Sequence, residues 1–306
     1  MALNPLPRHA IMTDSPSSTP RSRFVWKAAT TLGAVTGMLA SQLTGCASTV
    51  ATEGREGESQ PSGTHAMPGG GEGHPGHAVQ TRGEGEGAPI EASALATDDI
   101  GYLTHLGLIR GHLAVGYSLY DAGLPELAET HMKHPRAEIY RTVEPAFGPR
   151  GCGGFGAELT ALTNAVVSRQ PQSRMAAVYT SLTDAIGQCE SRADFRDPTV
   201  VTRVIENLLR TGGVEYQIGV IDGRIDNLHE YQDAWGFTQI AGAWARSGAY
   251  ARSPGAQAVG AQIDVLVQSL QPLWPSLNPG PRVNGEAAQL FGAAGRTEVI
   301  GLALSR

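Results

Sequence analysis

Little in this 306-residue chain declares a reaction. It has no Gly-x-Ser-x-Gly elbow, no phosphate-binding loop and no dinucleotide fingerprint, so no common catalytic motif assigns it a chemistry. Cysteine is scarce, three residues in all, and neither Cys152 nor Cys189 stands in a context that marks a nucleophile. Basic residues are few. Setting aside the four basic groups and one acidic group of the first 45 residues leaves 19 basic against 28 acidic, a net charge of about −9. That sign argues against nucleic acid as a partner, because phosphates want a basic surface. No run alternates apolar and polar residues with period two for long, which excludes a predominantly β fold. The apolar stretch 28–43, about 16 residues of mixed Ala, Thr, Gly and Leu, is short for a membrane-spanning helix, which wants about 20.

What stands at the N-terminus is an address. Arg21, Arg23 and Lys27 supply a basic region, the 28–43 stretch an apolar core, and Leu43-Thr44-Gly45-Cys46 a small-residue pair before a cysteine. This order resembles the bacterial lipoprotein signal. The resemblance implies that residues 1–45 are removed and that Cys46 becomes the acylated N-terminus, whose several acyl chains suffice for stable anchoring in the membrane. Ala47 is not the aspartate that retains lipoproteins at the inner membrane, so the same resemblance favours the outer membrane, facing the periplasm. Arg21 and Arg23 are not adjacent, so general secretion is favoured over the twin-arginine route.

Residues 46–90 are dominated by Gly, Glu, Ser, Thr and Pro, a composition that cannot offset its ordering entropy by burial. They read as a disordered tether, with a reach of about 35 to 40 Å for a Gly-rich coil of this length. His65, His74 and His77, with Met67 and Glu72, sit inside it. A solvated linker is the favoured reading for them, with weak capture of copper or zinc the alternative.

Residues 91–306 form the folded part, long enough for one domain with a substantial core. Phe155, Leu159, Leu162 and Val166 repeat at helical spacing, as do Met175, Val178, Leu182, Ile186 and Cys189. Asp197-Pro198 pairs an N-cap with a first-turn proline. Asn227 with Glu230 resembles a capping box that opens a helix through Tyr231, Trp235, Ile240 and Trp244. The pattern predicts an all-α bundle of seven or eight helices, with 214–225 the one segment arguable as a strand. Cys152 and Cys189, an even pair in an oxidising compartment, are expected to form a disulfide.

A helix from Asp98 to about Ala122 places His105 and His112 in the middle of a wide apolar arc. Seven residues apart, the two rings are separated by about 10.5 Å of rise and cannot share one ion as an i, i+4 pair can. Each needs partners from another helix. The short connection from Asp121 to Pro125 brings the next helix back antiparallel, with Glu126, Glu129, His131, His134 and Glu138 as candidates. His105, His112, His131, His134 and Glu138 are therefore the candidate ligands of a transition metal, against the plainer reading of histidines hydrogen-bonded to carboxylates or carbonyls. Asp222, Asp226, Glu230 and Asp233 read as capping and first-turn charges, with carboxylate acid-base work the alternative.

The stretch from Leu106 to Gly116, followed by His131, His134-Pro135 and Glu138-Ile139-Tyr140, resembles uncharacterised extracytoplasmic helical lipoproteins of proteobacteria. Val220-Ile221-Asp222-Gly223-Arg224-Ile225, Glu230-Tyr231-Gln232-Asp233 and Gly236-Phe237 resemble the helical periplasmic region fused to bacterial iron permeases. These resemblances imply metal handling, of iron or copper, without fixing a ligand. A non-enzymatic, envelope-anchored, metal-binding lipoprotein is the expectation. A structural or scaffolding envelope lipoprotein and a hydrolase with a carboxylate and His site are the alternatives.

Overall fold

The computed structural model describes residues 93–305; the Cys46 signature and the tether with His65, His74 and His77 lie outside the described residues. The helices are α1 (Asp99–Asp121), α2 (Pro125–Pro135), α3 (Arg141–Arg150), α4 (Gly156–Val167), α5 (Gln172–Glu190), α6 (Pro198–Gly219), α7 (Leu228–Ala245), α8 (Pro254–Gln268) and α9 (Ala287–Gly301). Between α2 and α3 the chain stays helical through a π turn, Arg136–Tyr140. Counting 125–150 as one rod gives eight among the described residues, the all-α bundle that the periodicity predicts. The π turn has a local cause. Pro135 has no N–H for the usual i−4 bond and its ring crowds the preceding turn, so the ladder re-forms one residue wider.

Short polar residues set where the helices begin. Asp98 Oδ1 accepts the backbone N–H groups of Ile100 and Gly101, each at 3.0 Å, and so caps α1. Asp197 caps α6 ahead of Pro198, and Ser253 caps α8 ahead of Pro254. Asn227 accepts the His229 N–H at 3.0 Å and starts α7. The segment arguable as a strand is mostly the end of α6, followed by a two-residue antiparallel ladder pairing Val220 with Ile225 and Ile221 with Arg224. Its turn residues, Asp222 and Gly223, both have positive φ, the conformation that Asp-Gly favours in a tight hairpin.

α1 lies at the centre. Leu103, Leu106, Ile109, Leu113, Val115 and Leu119 are all fully buried, since α2, α6 and α7 cover it on several sides. Glycine lets two of these helices approach to backbone contact. A Cβ on Gly236 of α7 would stand 2.4 Å from the Gly111 carbonyl oxygen of α1, and a Cβ on Gly111 would run into the Phe237 ring. Cys152 and Cys189 are joined, Cα atoms 5.2 Å apart, tying the loop after α3 to the end of α5. In the chain-entropy picture this closure contributes about 4 kcal/mol. Arg110 grips Glu190 beside this link, with Nη2 2.9 Å from Oε2. Among the described residues no helix is long and apolar enough to cross a membrane.

Candidate metal centre

Three helices turn imidazoles onto one carboxylate. His112 is on α1, His131 on α2, and His229 and Asp233 are one turn apart on α7. Asp233 Oδ1 lies 2.7 Å from His112 Nδ1 and 2.9 Å from His131 Nδ1, and Oδ2 lies 3.1 Å from His229 Nδ1. The His131 and His229 rings stack at 4.1 Å and are nearly parallel, while His134 sits 4.4 Å beyond His229. Exposure rises outward along this line. Asp233 and His131 are each 1% exposed, His112 3%, His229 19% and His134 31%. A surface cavity of about 350 Å³, lined by Glu126, Glu129, Thr130, Lys133, His134 and Arg169, opens beside the outermost ring.

Five ligand candidates came from the first two helices, and the fold separates them. His112 and His131 meet at Asp233, and His134 lies at the edge of the cluster, with its Nδ1 3.5 Å from Glu138 Oε2. His105 is turned elsewhere: its Nδ1 pairs with the Gly101 carbonyl at 2.8 Å, one turn back in its own helix. Asp233, His229 and Gln232 were not among the five. Glu230 is the first-turn acid of α7 that the sequence predicts, whereas Asp233 stands a turn further in and is buried against the imidazoles. His229 and Asp233 at i, i+4 was the available signal, a spacing that puts both on one face.

The tautomer of His131 is fixed by a neighbour. Gln232 donates its amide N–H to the Leu277 carbonyl at 2.7 Å, so the group facing His131 Nε2, also at 2.7 Å, is the Gln232 carbonyl oxygen. Nε2 must therefore carry a proton and donate it. In the neutral ring, Nδ1 is then a lone pair aimed at a carboxylate oxygen. Two acceptors at 2.9 Å require something positive between them, either a proton or a metal ion. Burial disfavours the proton: it pushes His131 below the ordinary imidazole value, even against the pull of Asp233.

The other groups fit this reading. Burial alone would raise Asp233, but positive charge on the adjoining His112 and His131 outweighs it and holds the carboxyl well below the usual carboxylate range. Burial also works to lower His229, and Glu230 and Asp233 overcome it, leaving that imidazole above its ordinary value. Asp233 Oδ2 is buried without a hydrogen bond. Two overlapping triads each bring their ligand atoms within 4.8 Å of one another: His112, His131 and Asp233, and His229, Glu230 and Asp233. Metal–ligand bonds of about 2.1 Å put neighbouring ligand atoms about 3.4 Å apart in a tetrahedral site, so the two contacts of Asp233 Oδ1, at 2.7 and 2.9 Å, would each open by roughly half an ångström around an ion.

Neither the curated proteins nor the solved structures include a match to this chain. The stretch holding α6, the hairpin, α7, α8 and most of α9 also contains 220–225 and 230–237, on which the permease resemblance rests. This stretch, residues 191–297, matches the family model of the iron permease-associated 4-helix bundle domain.

Proposed function

We propose that this chain is an envelope-anchored lipoprotein that binds and handles a divalent transition metal ion, with iron(II) as its first candidate cargo and no catalysis of its own. The observation that carries this reading is the fixed tautomer of His131, which aims a lone pair at a buried carboxylate already approached by His112. Two imidazoles and one carboxylate are the donors that non-haem ferrous sites use, and the cluster contains no soft sulfur ligand that would favour copper(I). The match of residues 191–297 to an iron permease-associated domain supports the same cargo. His112 and His131 would bind as neutral ligands, Asp233 would supply the compensating charge, and Gln232 would hold the ring of His131 in register.

Anaerobic titration of the full-length chain with iron(II) and with cobalt(II), read by histidine proton NMR, tests the cargo. The His112 and His131 ring protons are expected to shift first, and an unshifted His112 and His131 at saturating metal would refute the site. The anchor has its own test. Cys46→Ala is expected to release the protein from the membrane fraction, and unchanged partitioning would overturn the lipoprotein assignment.

A further inference from the structure

Asp233 belongs to both triads, one through each carboxylate oxygen, and this sharing has a functional meaning beyond a single binding site. The inner set, His112, His131 and Oδ1, is closed off from solvent, while the outer set reaches the surface through His229 and then His134. Glu230 is held in place for the outer set: Asn227 Nδ2 donates to its Oε1 at 3.3 Å, leaving Oε2 at 3.8 Å from His229 Nδ1. Asp233 Oδ2, buried and without a hydrogen bond, points to the same place. Two divalent ions held at once would put four positive charges against two carboxylates in a dry interior, a costly excess. One ion against the same two carboxylates is balanced.

We propose that His229, Glu230 and Asp233 Oδ2 form an outer cation station, occupied in alternation with the inner set, through which an ion passes between solvent and the buried His112–His131–Asp233 site. Asp233 never leaves the ion during this transfer: the ion exchanges one carboxylate oxygen for the other while His229 and Glu230 give way to His112 and His131. The inference rests on the metal-binding reading above.

A station on the route changes rates without changing the end point. Stopped-flow binding and release of cobalt(II), followed by its visible absorption in the full-length chain, separates the two. Glu230→Gln keeps the shape and the Asn227 contact but loses the charge, and His229→Gln is the second variant. Each is expected to slow association and release together by about tenfold, with the equilibrium constant held within about threefold. Unchanged rates overturn the station. Unchanged association with faster release and weaker affinity also overturns it, because Glu230 is then a ligand of the final site. If the native chain shows no cobalt(II) site that Asp233→Asn abolishes, the metal-binding reading itself fails and takes the station with it. Any uptake by the tether histidines is common to all variants and cancels in the comparison.

Discussion

Asp233→Asn separates a metal site from a hydrogen-bonded knot, because the two make opposite demands on the same atom. The substitution is isosteric and removes one charge from a side chain that is 1% exposed. In the metal-free protein, the contacts at 2.7 and 2.9 Å lose their charge assistance, about 1 kcal/mol each, while the desolvation of a carboxylate is relieved. The net change in stability is expected to stay under about 2 kcal/mol. Metal binding should suffer far more, since the only group common to both triads loses its charge. At an ion concentration one hundred times the dissociation constant, the native protein gains about 2.7 kcal/mol. For a folded unit of this size, each kcal/mol moves the melting temperature by about 2 to 4 °C, so the ion should raise it by about 5 to 10 °C. Thermal melts with and without iron(II) or cobalt(II) read both quantities at once. The expected result is a melting temperature near native without metal and the loss of the metal-induced rise. A variant that still shows the full rise refutes the role of Asp233, and so does a native protein that shows none. A loss of about 3 to 5 kcal/mol without metal, the cost of breaking a buried ion pair, would mark the cluster as structural.

Gly236→Ala would place a Cβ 2.4 Å from the Gly111 carbonyl oxygen and push α1 from α7; a loss of about 2 to 3 kcal/mol in urea unfolding is expected, with weaker metal binding, and an unchanged midpoint would refute the close crossing. Gln232→Leu strips His131 Nε2 of its acceptor and the Leu277 carbonyl of its donor, so metal affinity should fall by about 10- to 100-fold at unchanged helicity, and native affinity in that variant would sink the tautomer argument. The cluster also predicts a pH dependence. His131 is depressed in the folded state, so the unfolded chain takes up its proton first, and this residue's contribution is complete above about pH 6.5 and lost as pH falls from there through its lower folded value. Asp233 adds stability present above about pH 4 and lost on further acidification, whereas the raised His229 contributes fully below about pH 6.5 and loses its share as pH rises through its folded value. Protons compete for the same lone pairs, so the metal-induced rise in melting temperature should shrink from pH 7.5 to pH 5.5, about one pH unit on either side of the imidazole value, and a rise that grows on acidification would contradict neutral imidazole ligands.

Helix positions were legible because they depend on neighbours in sequence. The cap residues Asp98, Asp197 and Asn227, the proline behind Asp197, and the spacing of apolar side chains are all local signals, and each marks a helix start or face in the fold. The π turn at 136–140 leaves no mark in the apolar spacing, although Pro135 is its visible cause. Half of the centre was legible for the same reason: a histidine in the middle of a buried helical face requires a partner, and His112 has one. Which partner it finds is a matter of how α1 meets α7, and no spacing within α1 or α2 carries that information. Asp233 is hidden by its company. It follows Asp222, Asp226 and Glu230, but it stands in the second turn of α7, beyond the reach of the helix-terminus dipole that explains first-turn acids. Gly111 and Gly236 held the missing clue, since a bare backbone on each helix is what brings His112 and Asp233 within reach.

The segment that matches the permease-associated domain supplies His229 and Asp233, while His112 and His131 come from helices that precede it. An ion seated among them is thus a removable cross-link. It joins His131 to Asp233 across 102 residues of chain, where the disulfide spans 37. Loop-closure entropy grows only with the logarithm of length, so the two constraints are of similar size, yet one depends on oxidation and the other on cargo. On the proposed metal-binding reading, a filled chain would hold α1 and α2 against α7 by coordination as well as by packing, and an empty one by packing alone. The opening rate of α2, read by hydrogen exchange, would then gauge whether the protein is loaded, and a partner touching that helix would meet a stiffer surface on the loaded form.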